Sequence, residues 1–146
     1  MYLNFNSQGF LHETITLTYE QFEQHFGTNQ TRMRQINNAL PFFHIYRSYG
    51  CRAVYVDGSF ASKKKYPEDI DLCFDLTGMD MPKFREDVPQ LFDPIAIGKI
   101  HRDLQCHIFT FEEDETLFFD FLSLDRNGNI KGFVKINLKD LPIHYD

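Results

Sequence analysis

Apolar positions along the chain fall into short runs whose period changes several times. Residues 1–17 form an irregular or strand-forming arm, in which Ile15-Thr16-Leu17 favours β structure. Thr18 precedes Tyr19-Glu20-Gln21, and threonine followed three positions later by glutamine is the pattern of a capping box. A helix is therefore predicted from Thr18 to about Gly27. A second starts near Asn29 or Thr31 and carries Met33, Ile36 and Leu40 at helical spacing. Pro41 interrupts it, so residues 42–48 are either a kinked continuation or a separate helical turn.

The period then shifts to two. Arg52–Asp57 reads as a short strand closed by Gly58, and Asp69–Phe74 as another, with Ile70, Leu72 and Phe74 alternating against Asp69, Asp71 and Cys73. Pro82 suits the first turn of a helix over 82–92, which Pro89 shortens or kinks. Asp103–Phe111 is expected as a third strand. Asn127-Gly128 marks a turn, and Phe133–Leu138 a last strand. There is no repeat, linker or low-complexity stretch. The expectation is one domain over residues 1–146, of α/β (α+β) class, with a small mixed sheet flanked by helices.

Composition narrows the functional classes. The chain has 146 residues, 42% hydrophobic and 25% charged, as in a soluble globular protein. Sixteen Phe and seven Tyr imply an aromatic core, to which Phe118, Phe119 and Phe121 are expected to contribute. Asp114, Glu115, Asp120 and Asp125 keep that stretch from reading as a membrane span. The start of the chain has neither a basic nor a long apolar segment of a signal peptide. Cys51, Cys73 and Cys106, odd in number and widely spaced, suit packing thiols in a reducing cytoplasm. With a net charge of −6 and one basic cluster, Lys63-Lys64-Lys65, duplex DNA is a poor partner, whereas a small nucleotide remains open.

The chemistry concentrates in Val56-Asp57-Gly58-Ser59-Phe60 and Pro67-Glu68-Asp69-Ile70-Asp71-Leu72. Strand alternation puts Asp69 and Asp71 on one face, about 7 Å apart between Cα atoms. Carboxylates so close repel unless a cation lies between them, and hard oxygen ligands suit Mg²⁺ or Mn²⁺. Gly58 lets backbone approach a phosphate, and Ser59 offers a hydroxyl and an N–H to the same anion. Lys63 and Lys65, in the spacer between the two motifs, are candidates to hold a triphosphate. A solvated loop explains them equally well. His101 and His107 read as ordinary surface or half-buried residues and are assigned no metal. Arg126 and Lys131 flank the Asn127-Gly128 turn, which accounts for them without a ligand.

This arrangement resembles the nucleotidyltransferase superfamily that includes DNA polymerase beta, whose signature is an apolar residue, Gly-Ser or Gly-Gly, a spacer, then Asp-x-Asp or Asp-x-Glu. Further stretches are similar to small bacterial nucleotidyltransferase-like proteins. They are Phe5–Gly9, Tyr19–Phe26 with Arg32, Phe118-Phe119 with Asp125-Arg126, and Lys131-Gly132-Phe133. The chain also resembles minimal nucleotidyltransferase antitoxins, which transfer AMP from ATP onto a partner toxin, although its spacer is one residue shorter than theirs.

The resemblance implies a nucleotidyltransferase fold. It implies Mg²⁺ or Mn²⁺ on Asp69 and Asp71, ATP or another NTP at Gly58, Ser59, Lys63 and Lys65, and a protein (toxin-like) or RNA acceptor. It also implies a third carboxylate on a neighbouring strand, for which Asp103 is the candidate, both catalytic and metal-binding. If the strand register is shifted, His107 takes that slot and the enzyme is impaired. The alternative is a non-catalytic module that binds a nucleotide or masks a toxin on the same fold.

Overall fold

The computed structural model describes residues 3–112 and 131–142. The turn expected at Asn127-Gly128, the Phe118, Phe119 and Phe121 cluster and Arg126 lie outside the described residues. The architecture is mixed α/β: five strands in one sheet and four α-helices among the described residues.

Strand β1 (Ile15–Thr18) runs directly into helix α1 (Tyr19–Phe26). The expected capping box forms: Gln21 N–H donates to Thr18 Oγ1 at 3.1 Å, and Thr18 N–H to Gln21 Oε1 at 3.0 Å. Helix α2 (Gln30–Ser48) is capped by the Asn29 side chain. Pro41 lies inside α2 without ending it. It is exposed, and so is Asn37, whose carbonyl loses its usual donor, so water can satisfy that oxygen.

Strand β2 (Ala53–Asp57) leads into a single 3₁₀ turn over Gly58–Ala61, and β3 (Ile70–Asp75) follows the spacer loop. Pro89 splits the helix expected over 82–92. Helix α3 (Met81–Asp87) ends at Val88, which precedes the proline and leaves the helical region, and a 3₁₀ turn fills Pro89–Phe92.

The third strand is shorter than expected because a helix precedes it. Helix α4 (Pro94–Leu104) has Asp93 as its cap and Pro94 at its first position, with Ile97, Ile100 and Leu104 on its partly buried side. Gln105 closes it in the left-handed conformation, at φ 58°, and strand β4 begins only at Cys106 (Cys106–Phe111). Strand β5 (Val134–Asn137) lies within the predicted last strand.

The sheet order is β1-β5-β2-β3-β4. β2 pairs antiparallel with both β5 and β3, whereas β1 with β5 and β3 with β4 are parallel. The parallel β3–β4 pair requires a crossover, which α3 and α4 supply. One sheet face carries Val54, Val56, Ile70, Leu72, Phe74, Val134 and Ile136, all fully buried with Phe22, Phe43 and Tyr46 of the helices. Tyr46 stacks on Phe74 with centroids 3.8 Å apart. Cys51, Cys73 and Cys106 are buried and unbridged. No helix among the described residues is long and apolar enough to cross a membrane.

Candidate functional site

Because Val56 and Leu72 face the core, alternation turns their neighbours Asp57 and Asp71 to the opposite face. Register then lines them up. Asp57 pairs with Asp71 across β2 and β3, and Asp71 with His107 across β3 and β4. Asp69, immediately before β3, shares the face of Asp71.

The Gly58 turn closes one side. Gly58 has φ +70°, and a Cβ built on it would collide with Asp71 Oδ2, so both its conformation and its missing side chain are used. The spacer loop is fastened from behind by α2. Arg32, buried, donates from Nε and Nη2 to Lys64 O, from Nη1 to Phe26 O and Phe60 O, and from Nη2 to Ser62 O. Asn29 Nδ2 adds a bond to Lys65 O, and Gln35 Nε2 one to Pro67 O. The loop's shape therefore comes from main-chain carbonyls gathered on one guanidinium, and burial draws that guanidinium's pKa down to about 10.

The other side is closed by the α4–β4 corner. Gln105 N–H bonds to His101 O, and Ile70 N–H to Gln105 O at 2.8 Å. The corner thus brings His101, on the last turn of α4, back over His107. Their rings stack with centroids 4.1 Å apart and planes 7° from parallel. His101 Nε2 lies 2.8 Å from Asp69 Oδ2, and His107 Nδ1 lies 3.4 Å from Asp71 Oδ1.

Negative charge is in excess here. Burial, then the neighbouring Asp69 and Asp57 carboxylates, push the Asp71 carboxyl up to about 7, against the pull of His101 and Lys131. Asp57 is also raised, chiefly by burial, although Gly58 N–H and Lys131 favour its charged form. Its Oδ1 has no hydrogen-bond partner among the described residues, and Lys131 Nζ stands 3.6 Å away. His107 is lowered, by burial and by His101.

Gly58, Asp69 and Asp71 lie together, and Ser59 follows Gly58 in the 3₁₀ turn. Asp103 does not join them. It belongs to the end of α4 and not to a strand, is exposed, and pairs with Arg102 at 3.1 Å. The residue in register with Asp71 on the neighbouring strand is His107, the alternative slot noted above. Lys63 and Lys65 are exposed on the loop, with Lys65 Nζ over the Tyr66 ring at 5.4 Å, and neither pairs with a described carboxylate.

Asp57 is not singled out by the sequence, and His101, His107 and Lys131, which read there as ordinary residues, stand in the site. Only the Asp93-Pro94 helix start and the Ile97, Ile100, Leu104 spacing could have placed His101 on a helix facing the site. Two open clefts, of about 620 and 370 Å³, lie elsewhere, around Tyr19, Glu23 and Asp140 and around Arg52, Asp75 and Lys139. The site is a polar face of the sheet, singled out by its chemistry.

No curated protein and no solved structure matches this chain. A family of unknown function (DUF6932) matches residues 3–137, and with most of its length covered the chain belongs to that family.

Proposed function

We propose that this chain is a metal-dependent nucleotidyltransferase that moves a nucleoside monophosphate, AMP from ATP by preference, onto a hydroxyl of a protein or an RNA. The observation that carries the reading is the seating of Asp71 against Gly58, with Asp69 on the same face. It juxtaposes a phosphate-compatible turn with two carboxylates that want a cation. Burial first, and then the neighbouring Asp69 and Asp57 carboxylates, disfavour the charged form of Asp71. Mg²⁺ would offset both, and the oxygen donors suit a hard ion.

Asp69 and Asp71 would hold Mg²⁺, which supplies charge neutralisation on the transferring phosphate when bound. The Gly58-Ser59 turn would bind the β- and γ-phosphates. The acceptor oxygen bonds to the α-phosphorus as the bond to pyrophosphate breaks, and the hydroxyl proton passes to a carboxylate or to water. A cytoplasmic toxin–antitoxin or defence setting fits the resemblance to antitoxins, with the partner protein supplying acceptor specificity.

His107 in register with Asp71, with Asp103 turned away, favours a second reading: a non-catalytic module that binds a nucleotide or masks a toxin. Incubation with Mg²⁺, α-phosphate-labelled ATP and extract from the source cells separates the two. The first reading predicts a labelled acceptor with the wild type and none with Asp69→Asn/Asp71→Asn. Absence of label from all four nucleotides would leave the binding module.

A further inference from the structure

The histidines carry a second consequence, which goes beyond nucleotidyl transfer. One ring nitrogen each of His101 and His107 and a carboxylate oxygen of Asp69 lie within 4.8 Å of one another. They come from three places: the last turn of α4, the second residue of β4, and the residue before β3. The α4–β4 corner makes the convergence possible, since a left-handed Gln105 folds the helix end back onto the strand.

We propose that Asp69, His101 and His107 form a binding site for a first-row transition divalent cation of the zinc–cobalt class. Two neutral imidazoles and one carboxylate are the borderline donor set such ions prefer, whereas Mg²⁺ takes oxygen ligands and keeps its waters. The open side leaves room for water or a substrate oxygen. Asp71 and Asp57 add negative charge close by, and Asp71 faces Nδ1 of His107, the outer-shell carboxylate–histidine contact that fixes a ligating ring.

Bonds of about 2.1 Å require donor atoms about 3.4 Å apart in a tetrahedral site. The widest separations, up to 4.8 Å, therefore close by roughly 1 Å, while the 2.8 Å His101 Nε2–Asp69 Oδ2 contact opens to admit the ion. His101 and His107 side chains are 38% and 36% exposed, so both can turn. The ion would take the place of the direct His101 Nε2–Asp69 Oδ2 contact.

The test is Co²⁺ titration of the EDTA-treated full chain, followed by visible absorption, with no nucleotide present. One Co²⁺ per chain is expected, held against millimolar Mg²⁺. His101→Gln and His107→Gln should each weaken it tenfold or more, as should Asp69→Asn, while His12→Gln leaves it unchanged. Circular dichroism of each variant confirms that it is folded. Absence of Co²⁺ bands in the wild type, displacement by Mg²⁺, or binding that survives all three ligand substitutions would overturn the assignment. Because the probe is the metal alone, the outcome is independent of whether nucleotide is transferred.

Discussion

Asp71 sits among like charges on a partly covered sheet face, and its protonation links the site to stability. In the unfolded chain its carboxyl ionises near 4, in the fold at about 7. Its ionisation therefore costs nothing below pH 4. The cost grows as pH rises from 4 towards 7 and is complete above 7. Allowing for partial solvent exposure, it amounts to roughly 2 kcal/mol. Asp71→Asn should accordingly raise stability to urea at pH 8 in EDTA and leave it unchanged at pH 4. An equal effect at both values would mean that the charge is not the cause. Gly58→Ala addresses the neighbouring backbone: a positive φ and a Cβ driven into Asp71 predict a loss of about 2–3 kcal/mol. Adding Asp71→Gly should restore the steric part but not the dihedral part, which a double-mutant cycle in urea reads directly.

At the scale of elements, the spacer loop depends on α2. Arg32 places its guanidinium donors on loop carbonyls and on Phe26 O, and lies 4.6 Å over the Phe60 ring. Lysine keeps the charge but cannot reproduce the fork, so Arg32→Lys should cost about 3–5 kcal/mol. It should also speed tryptic cleavage at the exposed Lys63-Lys64-Lys65 run. Unchanged cleavage would show that the loop holds its shape without the guanidinium. Nothing in the sequence announced this role, because a buried arginine bonded to distant carbonyls leaves no periodic trace. The capping box at Thr18 was legible, being local, as were β2 and β3 by alternation. Helix α4 was not. Its Asp93-Pro94 start was overlooked, and the Asp103, Gln105, His107 spacing reads as strand alternation although a left-handed residue divides it. That one error put Asp103 in the site and kept His101 out.

Over the whole molecule, one sheet face carries the aliphatic and aromatic core and the other the polar rung Asp57–Asp71–His107. The mixed α/β class followed from the changes of period. The strand order did not, since β5, from the end of the chain, lies between β1 and β2. Such long-range pairing is set by tertiary packing that no local pattern encodes. The central claim is that chemistry runs through the Asp69–Asp71 pair beside Gly58 and not through Asp103. The most direct measurement compares transfer of α-labelled AMP from Mg·ATP by the wild type, Asp71→Asn and Asp103→Asn, each verified as folded. The account predicts transfer reduced at least about 100-fold by Asp71→Asn and within about twofold of wild type for Asp103→Asn. Loss of transfer in Asp103→Asn, with Asp71→Asn still active, would contradict it.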